Sequence, residues 1–240
     1  MTTRNPKQEG SNLFDCKPQV GLCPLNCNQC FYNRPGAFYV DINQPHIPTP
    51  EEVGEGIVRI NCGHDSNIER DKCIETAKQY KHYFFNTSIP RFDFPAPVVY
   101  TANRNEEFAI LSLRSLPTNL MFVRLRVSST NLYHIESAVL SLTMNTVPIV
   151  LTFMAYYTEP PDKDNYEWKV RHINSYWCAK KEFIIKTLDQ MKYIGGNLVT
   201  MCGLPNSNWC KDCRNCETYY WQTLKRMNEI KDGGDFRCVK

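Results

Sequence analysis

Apolar residues along this chain form short, nearly continuous runs, and segments with helical spacing lie between them. The short runs predict five buried β-strands, at residues 56–61, 82–86, 97–101, 120–127 and 148–153. The spaced segments predict helices that begin near residue 50 or cover residues 66–80, 105–116, 132–142, 175–192 and 217–230. Strands and helices that alternate in this way predict an α/β fold around a parallel sheet.

Local signals refine two of these helices and one connection. Thr49, followed by Pro50 and Glu52, has the pattern of a capped helix start, and Ser66 with Glu69 forms a second capping box. The connection at residues 87–96 is too short for the helix that normally joins two parallel strands. We therefore expect an unusual crossover between the second and third predicted strands.

Composition limits the class of protein. The 240 residues predict one domain with a small appendage, and 42% hydrophobic residues are enough to fill its core. A net charge of +3 does not indicate nucleic-acid binding. The strongest apolar run, residues 147–157, is too short to span a membrane, which needs about 20 residues. The first seven residues lack the apolar segment of a secretory signal, so we expect a cytoplasmic protein.

The 12 cysteines are the most informative residues in the chain. Seven of them form two clusters, and the other five are scattered along the sequence. Tight clusters in a chain without an export signal are typical of metal or iron–sulfur ligands in a reducing compartment. Disulfide bonds are the weaker interpretation.

The first cluster has the spacing of an incomplete iron–sulfur ligand set. It reads Cys23-Pro-Leu-Asn-Cys27-Asn-Gln-Cys30. Three thiolates at these spacings can hold three irons of a cubane and leave the fourth iron without a protein ligand. An open coordination position is what a catalytic metal needs. A zinc site with a fourth ligand elsewhere, such as Cys16 or His46, is the alternative.

This cluster, with Phe31-Tyr32-Asn33 directly after it, resembles the signature of the radical S-adenosylmethionine (SAM) enzymes. The resemblance implies a partial (β/α)6 barrel whose first loop carries the three cysteines. It also implies that a 4Fe–4S cluster binds SAM at the open iron and cleaves it to a 5′-deoxyadenosyl radical, which abstracts hydrogen from a substrate. In such an enzyme the protein binds, orients and excludes water, and the cofactor supplies the radical chemistry.

The same resemblance implies further cofactor-binding residues. Gly63, after the second strand, matches the glycine turn that meets the amino group of SAM in that family. Asn103 is expected near the ribose, and Tyr32 beside the cluster. Arg126 and Ser128 are expected near an anion of SAM or substrate.

The alternation of side chains along its strand is a second reason to expect Arg126 near an anion. Arg124 and Arg126 share one face of the strand at residues 120–127, opposite Val123 and Leu125. Two arginines on the inner face of a barrel are costly unless they meet anions. A solvated face of an edge strand is the alternative.

The second cluster contains enough ligands for a complete metal site. Its members are Cys202, Cys210, Cys213 and Cys216. Four thiolates fill the protein positions of either a structural zinc ion or a second 4Fe–4S cluster. We therefore expect a closed metal centre that does not bind SAM.

Together these patterns predict three parts and one class of function. Residues 1–12 are expected to be a disordered tail, 13–195 the partial barrel, and 196–240 a C-terminal metal-binding extension. The expected function is radical chemistry on an unidentified peptide, protein or nucleotide-derived substrate, with an electron donor such as flavodoxin or ferredoxin as partner. A glycyl-radical activase is the alternative within this class, and a cysteine-rich zinc-binding interaction protein is the alternative outside it.

Overall fold

The computed structural model describes residues 3–34, 36–102, 117–170 and 175–231. Seven strands form one all-parallel sheet that curls into a half-barrel, and their spatial order follows the chain. These strands are β1 (Leu13–Cys16), β2 (Ile57–Ile60), β3 (His82–Thr87), β4 (Val98–Ala102), β5 (Leu120–Val127), β6 (Ile149–Phe153) and β9 (Val199–Met201). The α/β class and the parallel sheet predicted from the sequence are confirmed.

The remaining elements connect or cover these strands. The helices are α1 (Pro50–Val53), α2 (Arg70–Ala77), α3 (Leu132–Met144), α4 (Lys181–Gly195), α5 (Cys210–Cys213) and α6 (Asn215–Lys231). An antiparallel hairpin of β7 (Tyr166–Lys169) and β8 (Tyr176–Ala179) stands between β6 and α4. As expected from its length, the connection from β3 to β4 contains no helix.

The larger apolar core lies on the outer face of the sheet, under helices α2, α3 and α4. Strand residues such as Val123 and Leu125 pack there against helix residues such as Val139 and Met191. All four side chains are fully buried. Burial of this kind contributes about 1.5–3 kcal/mol for each large side chain, so the outer core is a main source of stability.

The inner face of the sheet is closed by helix α6 instead. Tyr220 of this helix packs with Leu13, Phe84 and Phe122 in a second apolar cluster. Arg226 donates to the carbonyl oxygens of Thr118, just before β5, and of Leu120, its first residue, at 2.9 and 2.6 Å. Helix α6 therefore fills the inside of the half-barrel near the amino-terminal ends of the strands.

Two edge strands were not predicted. Strand β1 has only four residues, one of which is Asp15, and β9 has only three. Such short runs carry little periodicity, and they are strands because β2 and β6 offer them hydrogen-bonding partners. The five strands that were predicted are confirmed.

Two predicted helices begin later than expected. Helix α2 starts at Arg70, after Glu69 in a left-handed conformation with φ of 49°. The capping box at Ser66 is wrong because the Ser66 hydroxyl is buried and donates to the carbonyl of Ile60 at 3.4 Å. Residues 176–179 form β8, so α4 begins only at Lys181. The helix predicted at 105–116 lies outside the described residues.

The predicted division of the chain differs from the structure at both ends. Strand β9 belongs to the main sheet and α6 packs inside it, so the boundary at residue 195 does not separate an appendage. Near the amino terminus, Pro6–Gln8 forms a 3-10 helix, and Gln8 is fully buried. Its amide Nε2 donates to the Asp15 carboxylate at 2.7 Å, so this segment packs on the sheet. No helix in the described part of the chain is long and apolar enough to cross a bilayer.

Candidate functional site

The candidate site is built on the long loop between β1 and α1, residues 17–49, which we call the cysteine loop. Backbone hydrogen bonds between Lys17 and His46 close this loop at its base, at 2.7 and 2.8 Å. The buried Lys17 ammonium donates to three backbone carbonyls, those of Gln19, Ile42 and Gln44, at 2.7–3.1 Å. Because an unpaired buried ammonium is costly, these three acceptors fix the loop ends together.

Local chemistry shapes the segment that carries the three cysteines. The Asn33 side chain accepts from the backbone N–H of Cys23 and donates to its carbonyl, both at 3.0 Å. Asn26 and Gln29 have φ of 41° and 54°, a left-handed conformation that asparagine tolerates well. Each of these two residues directly precedes a cysteine, Cys27 or Cys30, so the chain reverses locally at both.

Tyr32 supports the cysteine loop from within. Its ring is fully buried, its hydroxyl donates to the Gly21 carbonyl at 2.8 Å, and it packs edge-on against Phe38 and His64. The ring also lies against Gly63, where an added Cβ would come within 2.4 Å of it. These are the contacts of a packing residue, although Tyr32 was predicted to bind the cofactor.

Position 63 requires glycine because the Tyr32 ring leaves no room for a Cβ atom. Its φ lies outside the left-handed region, which is occupied two residues earlier by Asn61 with φ of 64°. Beside it, His64 is buried, its Nδ1 accepts from the backbone N–H of Asp65 at 2.9 Å, and burial lowers its pKa. The turn after β2 therefore packs against the cysteine loop.

Arg126 joins the cysteine loop to the far side of the half-barrel. Arg124 and Arg126 follow Phe122 on the inner face of β5, as alternation predicts, because Phe122 belongs to the inner cluster. The Arg126 Nη2 donates to the carbonyl of Asn28 at 2.9 Å. This carbonyl lies between Cys27 and Cys30, so the arginine holds the backbone of the motif itself.

Gln29 makes a second connection across the half-barrel. Its Oε1 accepts from the backbone N–H of Tyr157 at 3.0 Å, and its Nε2 donates to the hydroxyl of Thr158 at 2.9 Å. Both partners follow β6. The cysteine loop thus reaches from the first strand to the carboxyl ends of the fifth and sixth strands.

Of the two remaining residues predicted to bind the cofactor, Ser128 and Asn103, the structure describes Ser128. The Ser128 hydroxyl is buried and lies 2.7 Å from the hydroxyl of Tyr156 and 3.1 Å from that of Thr130. It is near the end of β5 but is engaged with these neighbours. Asn103 lies outside the described residues.

The thiols of the motif form no disulfide and are close enough to influence one another. Burial raises the pKa of the Cys23 thiol to about 11, with further contributions from Asp65, Cys30 and Cys27. The eleven cysteines in the described residues form no disulfide. Sulfur is a donor that both iron–sulfur clusters and zinc accept, so three thiols outside disulfides on one loop match either group in donor chemistry. Within the described residues, however, no three His, Cys, Asp or Glu side chains are arranged to hold a metal ion.

A buried ion pair lies beneath the loop on the inner face. The Asp15 carboxylate of β1 accepts from Arg59 of β2 at 2.7 and 2.8 Å, and from Asn5, Gln8 and Tyr39. Burial alone would raise the pKa of Asp15, but the Arg59 charge and hydrogen bonds from Asn5, Cys62 and Arg59 hold it below its usual value. Sequence reasoning missed this pair, and its only signal is a single charged residue inside each of two short apolar runs.

Three of the four residues in the second cysteine cluster are partly buried, and two of them lie against the inner face of the half-barrel. Cys210 and Cys216 pack against the inner apolar cluster, while Cys213 lies within 3.8 Å of the Met201 carbonyl at the end of β9. Asn215 donates to the same carbonyl at 2.7 Å. The fourth member, Cys202, directly follows β9 and is exposed. We call these four residues the C-terminal cysteine set.

The residues suggested as a fourth zinc ligand for the first cluster have other roles. Cys16 is fully buried in the outer core, where its sulfur lies 3.9 Å from the hydroxyl of Tyr80. His46 pairs with Lys17 through its backbone and packs edge-on against Tyr39. Neither side chain therefore supports the zinc interpretation of the first cluster.

Comparisons with protein-family models, with curated proteins and with solved structures give no match to this chain. Function is therefore inferred from the residues and the geometry described above.

Proposed function

We propose that this chain is a radical SAM enzyme, whose fold is a partial barrel of that type. The observation that carries the proposal is the placement of Cys23, Cys27 and Cys30. They lie on the loop after the first strand of a parallel half-barrel, and this loop reaches the carboxyl ends of β5 and β6. Parallel α/β sheets bind their ligands at this edge.

The three thiols would hold three irons of a 4Fe–4S cluster, and SAM would occupy the fourth. When bound, these cofactors supply a carbon-centred radical that abstracts hydrogen from the substrate. The protein's own part is to hold the motif still and to exclude water. Arg126 of β5 holds the motif through the Asn28 carbonyl, Gln29 joins it to the segment after β6, and Tyr32 packs it against Gly63.

The C-terminal cysteine set would hold a second metal centre, either a 4Fe–4S cluster or zinc. Its four thiols leave no open position for SAM, so this centre would stabilise the fold or conduct electrons. None of the four residues forms a disulfide, and two of them pack, partly buried, against the inner apolar cluster; both facts support this role.

The substrate would be a peptide, a protein or a nucleotide-derived molecule, and flavodoxin or ferredoxin would deliver the electron. An activase that installs a glycyl radical in a partner enzyme is one member of this class. The location is proposed to be the cytoplasm, where thiols stay reduced.

The test is SAM cleavage by anaerobically reconstituted protein. With dithionite and SAM, the wild type should form 5′-deoxyadenosine even without substrate, and Cys27→Ala should lose both the cluster and this product. Cys178→Ala, a partly buried cysteine on the hairpin, is the matched control and should retain both. Wild-type rates from Cys27→Ala would refute the assignment, and colourless protein with two zinc ions would favour a zinc-binding interaction protein.

A further inference from the structure

We propose that this protein forms a symmetric dimer in which strand β7 of one protomer pairs with β7 of its partner. The two strands run antiparallel, and the two-fold axis passes beside Trp168. Such an interface is isologous, because the same residues serve both protomers. The inference is independent of the proposed function, since it involves neither the cysteines nor a metal.

Strand β7 has a free edge. Strand β8 pairs with it on one side, and no other strand in the described part of the chain pairs with it on the other side. Its last three residues, Glu167, Trp168 and Lys169, are exposed. Trp168 is 48% exposed, and Val170, directly after the strand, is 78% exposed. An exposed edge of this kind is a template for a strand of another chain.

The backbone of Trp168 points outward along this edge. In an antiparallel ladder, facing residues alternate between pairs that exchange two hydrogen bonds and pairs that exchange none. Trp168 faces Trp177, but Trp177 exchanges its two backbone hydrogen bonds with Tyr156 on its other side, at 2.8 and 2.9 Å. The two tryptophans therefore exchange none, so the N–H and C=O of Trp168 point away from β8. A second strand can bind both groups.

The residues beside Trp168 make a second copy of this strand a complementary partner. When two β7 strands pair about Trp168, Glu167 of each protomer faces Lys169 of the other. Opposite charges that face each other across antiparallel strands are stabilising, and like charges are destabilising. Glu167 contacts the Cys178 thiol at 3.6 Å, and neither charged side chain forms an ion pair within the described residues of its own chain. The two-fold register thus forms two charge pairs at once, which a strand of unrelated sequence would not.

The hairpin presents this edge in a fixed position. Tyr166, at the start of β7, is buried and packs against Tyr156 and Phe183. The Trp168 ring packs against the Trp177 ring, with centroids 5.5 Å apart. Pairing joins the two hairpins into one sheet and brings the Trp168 rings of both protomers side by side. A preformed edge loses little conformational freedom on binding, and burial of the two tryptophans adds apolar contact area.

The experiment is sedimentation velocity on reduced, full-length protein at low ionic strength, where exposed charges are least screened. A pairing of four-residue strands is small beside the roughly 1,200–2,000 Å² of a standard interface. We therefore expect the wild type to form a reversible dimer between about 1 µM and about 1 mM. Glu167→Lys or Lys169→Glu alone replaces both opposite-charge pairs by like-charge pairs, and each should raise the dimer Kd about tenfold.

The decisive measurement is an equal mixture of these two variants. One chain then carries lysine at both flanking positions and the other carries glutamate at both, so every facing pair in the mixed dimer is complementary. The mixture should recover most of the wild-type affinity, and so should the double variant Glu167→Lys/Lys169→Glu. Glu51→Lys, the same charge change at an exposed residue of α1, is the matched control and should leave the affinity unchanged.

Trp168→Pro tests the backbone pairing, because proline removes the outward N–H without removing a hydrogen bond to β8. This variant should be monomeric over the whole concentration range, with the circular dichroism spectrum of the wild type. If it does not fold, the two charge reversals at exposed positions decide alone. A wild type that stays monomeric throughout would overturn the inference and leave the edge to an extended peptide of another protein. A dimer that both charge reversals leave unchanged, or a mixture that does not recover, would also overturn it.

Discussion

Asp15→Asn should be among the most destabilising single substitutions in this protein. The Asp15 side chain is fully buried, and it accepts hydrogen bonds from Asn5, Gln8 and Tyr39 as well as two from Arg59. Asparagine keeps the shape but removes the charge, which leaves the mostly buried Arg59 guanidinium without its partner. Breaking one side of a buried ion pair costs about 3–5 kcal/mol.

Thermal unfolding followed by circular dichroism measures this effect. For a domain of this size, each kcal/mol lowers Tm by about 2–4 °C, so Asp15→Asn should lower Tm by about 6–20 °C. The matched control is Glu55→Gln, which removes an exposed ion pair with Lys81. This control should leave Tm almost unchanged, because exposed ion pairs contribute little.

The pH dependence gives an independent check of the same ion pair. The pKa of Asp15 is held below its usual value. Its contribution is therefore complete above the unfolded-state pKa of about 3.9 and is lost as the pH falls through the lower folded-state pKa. The Tm difference between wild type and Asp15→Asn should be constant near neutral pH and should shrink below about pH 4. A Tm for Asp15→Asn as high as that of Glu55→Gln at pH 7 would refute the reasoning.

Two further substitutions test how the cysteine loop is held. Gly63→Ala places a Cβ 2.4 Å from the Tyr32 ring and should cost about 1–3 kcal/mol, measured by urea unfolding; an unchanged midpoint would contradict the close packing. Gln29→Ala removes the amide that binds Tyr157 and Thr158 and should speed backbone hydrogen exchange in residues 23–34. Gln79→Ala removes an exposed amide that donates to the Thr76 carbonyl near the end of α2. It should leave exchange in residues 23–34 unchanged, and equal rates in both variants would contradict the bridging role.

The sequence by itself was sufficient for the central part of the fold. Strands β2 to β6 carry enough apolar residues to be recognised, and their alternation with helices predicts a parallel sheet. The same alternation placed Arg124 and Arg126 on one face, and the structure confirms this, because Phe122 packs inside and Val123 packs outside. These features are local, since each depends on the spacing of residues within one strand.

The edges of the fold depended on the tertiary structure. Strand β9 is a strand because β6 pairs with it, and β1 because β2 does. The start of α2 was wrong for a related reason: the hydroxyl of Ser66 donates to the carbonyl of Ile60 at the end of β2 and does not cap the helix. Short segments have weak preferences of their own, so their neighbours decide their conformation.

The candidate site, like the fold, was predictable from the sequence only in part. Cysteine spacing alone indicates metal chemistry, because this indication needs only the positions of the cysteines along the chain. The sequence could not show that Gln29 reaches Thr158, that Arg59 pairs with Asp15, or that two of the C-terminal cysteines pack against the inner apolar cluster. Those contacts join residues far apart in sequence. The pairing of β1 with β2 brings Arg59 to Asp15, the curl of the sheet brings Gln29 to Thr158, and the packing of α6 brings the cysteines to the inner face.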